Sequence, residues 1–325
     1  VNSQLSTLNT HPVIVTGGAG FIGSHLVERL LDDGESVVVI DDLSTGSLEN
    51  LRAVLENSRL RVFQSKISEC AELCDLAVRA KGIYHLAAAV GVELVIQSPV
   101  HTLETNLHET EVLLKAAAVS TTPVLLASTS EVYGKSEKIE FSEEDDLLIG
   151  PPQRIRWGYA CSKLVDEFMA MAYAQERGLP VVVARLFNTV GPRQTGRYGM
   201  VLPRFIAAAR QGEPLRVYGD GLQTRCFCFV RDTVEALVRL QNCPAARGEV
   251  FNVGGTEEVS ILDLAKRVIE VLKSKSSIEL VPYDDAYTPG FEDMRRRKPK
   301  VEKLAGATKF RPTTTLQEII LKTMG

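Results

Sequence analysis

Apolar residues recur along this chain in two rhythms. Short runs at Val13–Thr16, Ser36–Ile40, Leu60–Phe63, Gly82–His85, Val124–Ser128 and Val181–Leu186 have the length and composition of buried strands. Between them lie stretches with helical spacing. After the first strand the apolar positions are Phe21, Ile22, Leu26, Leu30 and Leu31, and further helices are expected at Ser47–Glu56, Cys70–Arg79, Pro99–Val119 and Tyr159–Arg177. In Pro99–Val119, Leu103, Leu107 and Leu114 share one face. Regular alternation of strand and helix predicts an α/β fold, a doubly wound parallel sheet covered on both faces. Beyond Leu186 the texture changes. Glycine and proline punctuate the chain, helical segments shorten, and Leu215–Tyr218 stands as an isolated strand. The expected organisation is a frayed leader at 1–11, a Rossmann-type domain at 12–186, and a smaller C-terminal α/β substrate-binding lobe at 187–325, with some segments crossing back.

The first strand runs into Gly17, Gly20 and Gly23, spaced G-x-x-G-x-x-G, and then into a helix. Such a turn lets backbone N–H groups and a helix N-terminus approach a pyrophosphate. The second strand ends at Asp41 and Asp42, about 20 residues past the glycines, where an acid can bind the adenosine ribose hydroxyls. A carboxylate there repels a 2′-phosphate, so the expected cofactor is NAD rather than NADP.

Composition narrows the class. The chain has 325 residues, 45% hydrophobic and 24% charged, with a net charge of −4. No global positive field draws in nucleic acid. No run approaches the length of a membrane span. The six cysteines form no CxxC pair and have no histidines at zinc spacing, so no metal site is expected and the thiols read as those of a reduced, cytoplasmic protein. The basic run Arg295–Lys298 is either a solvated loop or a contact to an anionic ligand.

The chemistry gathers at two places. Strand Val124–Ser128 leads into Ser128, Thr129, Ser130 and Glu131, hydroxyls and a carboxylate at a strand tip. Tyr159 and Lys163, at i and i+4, lie one turn apart on one helix face. A phenol with a pKa of about 10 is a poor base at neutral pH. A nearby ammonium and a cationic nicotinamide could lower it by about 3 units, a differential of about 4 kcal/mol. The phenolate would then take a proton from a substrate hydroxyl as hydride leaves for NAD.

In these motifs the chain resembles the extended short-chain dehydrogenases/reductases, in the branch of NAD-dependent nucleotide-sugar epimerases, dehydratases and decarboxylases. The matching segments are Thr16–Gly23, His85–Ala88, Asn106, Ser128–Ser130, Tyr159 with Lys163, Arg185–Arg193 and Val217–Arg225. The resemblance implies cofactor contacts from Gly17, Gly20, Phe21, Ile22, Gly23, Asp41, Asp42, Leu86, Ala87, Ala88, Asn106, Ser128, Tyr159 and Lys163. It implies that Thr129 or Ser130 bonds the sugar O4 beside Tyr159, that Asn188 and Arg225 hold the diphosphate, and that Val201, Val217 and Tyr218 surround the base and its ribose. It also implies a homodimer, for which the Pro99–Val119 and Tyr159–Arg177 helices are the candidate surface. The chain departs from many relatives at Lys66, where an adenine-contacting Asp is usual.

Three features bear on the reaction. A single acid, Glu131, follows the strand-tip hydroxyls, where dehydratases of the branch carry two. Arg193, directly after Gly191 and Pro192, is a candidate two-pronged partner for a C6 carboxylate, which suits UDP-glucuronic acid. A 4-keto uronate can be reduced on its other face, inverting C4, or lose CO2. Thr129–Glu131 and Gln223–Arg225 look like UDP-glucuronic acid decarboxylases, with Glu131 acting near C5. The segments Gly150–Gly158 and Gly290–Arg297 look like bacterial proteins grouped with the 4-epimerases. An Arg193 clamp would restrain the carboxylate, so the expectation is a UDP-glucuronic acid 4-epimerase, with UDP-glucuronic acid decarboxylase and UDP-glucose 4-epimerase as alternatives. A cofactor-retaining sensor and a one-way dehydrogenase also stay open.

Overall fold

In a computed structural model, which describes residues 11–90, 97–196, 200–282 and 294–324, strands made almost wholly of apolar residues are covered on both sides. The expected leader, save His11, lies outside the described residues, as does part of Gly290–Arg297. Seven parallel strands form the central sheet: β1 (Val13–Thr16), β2 (Val37–Asp41), β3 (Leu60–Gln64), β4 (Gly82–His85), β5 (Val124–Thr129), β6 (Val181–Leu186) and β7 (Glu249–Val253). Their spatial order is β7-β6-β5-β4-β1-β2-β3. The order reverses between β1 and β4, which opens a crevice at their carboxyl ends.

Successive side chains point to opposite faces of a strand, and the two cores follow that rule. Val13, Val15, Val37 and Val39 pack on one face with Leu26, Leu30 and Leu31 of helix α1 (Phe21–Asp32). Ile14, Val38, Ile40, Ile83 and Leu126 pack on the other with Leu76 of α2 (Leu73–Arg79), Leu113 and Leu114 of α3 (Pro99–Ala118) and Ala170 of α4 (Trp157–Arg177). Burying each such aliphatic side chain contributes about 1.5–3 kcal/mol. The C-terminal part crosses back: β7 pairs with β6, and the helix Val230–Gln241 places Val234, Leu237 and Leu240 in the first core.

Two expectations change. The predicted helix Ser47–Glu56 is a single 3₁₀ turn, Leu48–Leu51. The Ser47 N–H and the Asn50 amide both donate to the Ala19 carbonyl, which ties the segment to the glycine loop and stops a regular helix. The strand Leu215–Tyr218 is not isolated but pairs in parallel with Ile278–Val281. It belongs to a third core with Leu202, Phe205, Phe227 and Ile261.

Candidate active site

The chain leaves β1 at Thr16 and turns at Gly17, whose φ is +70°. A Cβ there would sit 2.7 Å from the Ala87 nitrogen, so the turn and the strand beside it can meet only at glycine. At Gly23, in the first turn of α1, a Cβ would lie 2.1 Å from the Gly17 carbonyl oxygen. Gly20 caps α1 without a side chain, leaving the first-turn N–H groups open to an anion. Asp41, at the tip of β2, accepts hydrogen bonds from the N–H groups of Ala19 (2.8 Å) and Leu43 (2.9 Å). Burial pushes its pKa up, and these two donors oppose the shift. Asp42 accepts from the N–H and hydroxyl of Ser44. The crevice these elements border has a volume of about 590 Å³ and also carries Phe21, Ile22, Leu86, Ala87, Ala88, Ser65, Lys66 and Ile67 on its wall. A side-chain-free turn, an open helix N-terminus and a paired acid fit a dinucleotide that lacks a 2′-phosphate.

The chemical end lies between β5 and α4. Ser128, Thr129, Ser130, Glu131, Tyr159 and Lys163 all line the crevice, as do Asn188, Val201, Tyr218 and Arg225. The chain's own groups work against the expected lowering of the phenol pKa. The Tyr159 phenol is held above its ordinary value, because burial, Glu131 and Asp166 all disfavour the phenolate; Thr129 and Arg297 pull the other way. The buried Lys163 ammonium donates to Asp166 Oδ2 at 2.9 Å, so much of its charge is neutralised on its own helix. His85 lies below, its Nδ1 2.8 Å from the Thr16 hydroxyl and its Nε2 3.0 Å from the Thr110 hydroxyl. Burial, with Lys163, lowers its pKa to about 3, so the ring is neutral.

Of the basic wall, sequence reasoning missed Arg156 and had Arg297 only as one member of the Arg295–Lys298 run. Arg156, just before α4, and Arg297 each place a guanidinium nitrogen 3.3 Å from the Glu131 carboxylate, in surroundings nearly closed to water. Only Arg297 of the Arg295–Lys298 run lines the crevice; Arg295 and Arg296 pair with Asp220 and Glu258 at the surface. Arg225 donates to the Thr224 and Met294 carbonyls, and Asn188 to the Cys226 carbonyl. Arg204 stacks over the Tyr218 ring at 4.8 Å and shares the crevice wall with Arg216.

Three expected site residues do not line the crevice. Val217 is fully buried, because strand alternation turns Arg216 and Tyr218 to the other side. Asn106 is also buried. Its carbonyl accepts from Ala89 N–H (2.7 Å) and its amide donates to Ser162, so it braces the strip after β4. Arg193 has φ +70° and turns back onto α1, where it pairs with Glu28 (2.5 Å) and donates to Ser24 (3.1 Å). The expected carboxylate clamp is a loop brace. Arg193→Ala should therefore change KM for a uronate and for a neutral UDP-sugar equally little. It should lower stability by about 1 kcal/mol, since the pair is partly exposed. A selective loss of uronate affinity in steady-state kinetics would restore the clamp.

Comparison with known proteins agrees with this geometry. The family model described as GDP-mannose 4,6 dehydratase matches residues 14–323. A UDP-N-acetyl-alpha-D-glucosaminuronate decarboxylase of Bacillus cytotoxicus is 39% identical over 312 residues, covering 96% of both chains. UDP-glucuronic acid decarboxylase 1 of Danio rerio is 35% identical, over 98% of this chain and 73% of that protein. Among solved structures, the UDP-glucuronic acid 4-epimerase of Bacillus cereus, in complex with UDP-glucuronic acid and NAD, superposes with a TM-score of 0.86 at 28% identity, covering 96% of this chain and 97% of that one. With its glycine turn, its Tyr159–Lys163 pair and a match that spans nearly its whole length, the chain belongs to the GDP-mannose 4,6-dehydratase family of extended short-chain dehydrogenases/reductases.

Proposed function

We propose that the chain is an NAD-dependent decarboxylase of a UDP-uronate. The observation that carries this reading is Glu131 bracketed by Arg156 and Arg297 on the crevice wall beside Tyr159. Both guanidinium groups are engaged by Glu131, so neither is a free clamp for a second carboxylate. The preference for 4-epimerisation drew on the segments Gly150–Gly158 and Gly290–Arg297 and on an Arg193 clamp, and of these Arg193 lies on α1 instead. Two of the three proteins cited above are named decarboxylases, which supports this reading, and the third is a 4-epimerase.

NAD, when bound, supplies reversible storage of the hydride from C4. Asp41, Asp42, the glycine turn and Lys163 would hold it. Tyr159 takes the C4 hydroxyl proton, assisted by hydrogen bonds from Thr129 or Ser130 to O4. The resulting 4-keto uronate is a β-keto acid. The C5–C6 bond breaks, CO2 departs, and its electron pair passes into the C4 carbonyl as an enolate. The negative charge moves to O4, where the protonated Tyr159 and the Thr129 or Ser130 hydroxyl would donate to the enolate oxygen. Water would supply the proton added at C5, and Tyr159 would return its proton to O4 as the stored hydride is given back to C4. Asn188, Arg225, Arg204 and Tyr218 would hold the UDP moiety.

The test is product mass. NAD-loaded protein given UDP-glucuronic acid, or its 2-acetamido analogue, should release CO2 and a UDP-sugar lighter by that amount. In D2O the product should carry deuterium at C5. An isomer of unchanged mass from either substrate would instead identify a 4-epimerase. We also place a homodimer at α3 and α4, where Val100, Val165 and Phe168 expose apolar surface. Among the described residues no helix is long and apolar enough to cross a membrane.

A further inference from the structure

Tyr159, Lys163 and Asp166 stand at positions i, i+4 and i+7 of α4 and so share one face. The Asp166 carboxylate is wholly buried and binds the Lys163 ammonium, itself almost wholly buried. Its second oxygen, Oδ1, has no hydrogen-bond partner. A buried ion pair with an unsatisfied oxygen is a poor device for stability, because desolvating both charges offsets most of their attraction. Thr110 from α3, beside the carboxylate, and neutral His85 from β4 close off the base of the cluster. Thr16, at the end of that row of hydrogen bonds, is also fully buried, so the row leads to no solvent and carries no proton outward.

We propose that Asp166 is a positioning residue that sets how much of the Lys163 charge reaches Tyr159, and thereby the pH at which the phenol ionises. This rests on the reading of Tyr159 as the base. The charged groups acting on that phenol are Glu131 from the turn after β5, Arg297 from the C-terminal segment and Asp166 from α4, with Lys163 one helical turn away on the same face. Glu131 is balanced by two guanidinium groups, whereas Asp166 has the lysine alone, apart from the neutral Thr110 hydroxyl. Burial raises the Asp166 pKa, and the Lys163 ammonium bonded to it opposes this. Removing the carboxylate removes a negative charge near the phenol and frees a positive one, and both changes favour the phenolate.

In NAD-loaded Asp166→Asn, the acid limb of the kcat/KM profile should move to lower pH by about one unit. The ultraviolet phenolate signal, taken as a difference from the same variant carrying Tyr159→Phe, should show its midpoint lowered to the same extent. Asp166→Glu, which keeps the charge and disturbs the packing, should leave both midpoints in place even where kcat falls. If Asp166→Asn does not fold, Asp166→Ser, which leaves room for water around the ammonium, is measured in the same way. An unmoved phenol midpoint in the folded Asn or Ser variant overturns the proposal, whatever happens to turnover. Turnover that survives Tyr159→Phe would instead remove Tyr159 as the base, an outcome the phenol titration does not depend on.

Discussion

Tyr159→Phe should lower kcat on a UDP-uronate about a thousandfold while leaving NAD retention and UDP-sugar affinity close to those of the parent. The substitution deletes one oxygen and keeps the ring, so the crevice wall around Ser128, Thr129 and Lys163 keeps its shape. What disappears is the phenol proposed to accept the C4 hydroxyl proton. The phenol of the ligand-free chain is held above its ordinary value, by enclosure and by Glu131 and Asp166. On the proposed reading, a cationic ring beside it would lower that value and so tie hydroxyl activation to a loaded site. The measurement is a single-turnover assay of NAD-loaded protein, with cofactor content checked by absorbance. A decrease of less than tenfold would sink the assignment.

Arg185→Met should destabilise the fold by about 3–5 kcal/mol, the range for breaking a buried pair from one side. Arg185 on β6 reaches Glu167 on α4 through Nη2 at 2.8 Å and Nε at 3.1 Å, and both side chains are nearly closed to solvent. The Ser128 hydroxyl, at the crevice, donates to the same carboxylate. The guanidinium also lies 4.9 Å from the centre of the Tyr133 ring, whose hydroxyl donates to Asn252 on β7. One ion pair thus ties the helix that bears Tyr159 to three strands of the sheet. Urea denaturation of the variant should show a lowered midpoint at an unchanged slope. Arg185→Met combined with Glu167→Leu should regain most of the loss, because two matched apolar groups need no partner. A single variant that loses less than 1 kcal/mol would show that the carboxylate finds another partner.

What could be read from the sequence divides along physical lines. The glycine turn, Asp41 and the Tyr159–Lys163 pair were legible because their geometry is local: a strand, a turn and a helix, or one helical turn. The basic wall was legible only as far as the Arg295–Lys298 run, and its pairing was not. Arg297 and Glu131 are far apart in sequence and meet only in the folded chain. Asp166 and Glu167 sit side by side on one helix, yet one partners Lys163 and the other Arg185 on β6, a division no spacing rule gives. Arg193 was misplaced because a left-handed backbone at that residue reverses the loop, and nothing in Gly191 or Pro192 fixes its direction. Val217 was a failure to apply strand alternation, which would have chosen Arg216 and Tyr218.

The position of β7 has a consequence for biosynthesis. Since β6 finds its outer neighbour only in residues 249–253, the sheet keeps a bare, apolar edge until that segment has emerged from the ribosome. The nascent chain is most open to mispairing during that interval, and a holding chaperone would have its best target on β6.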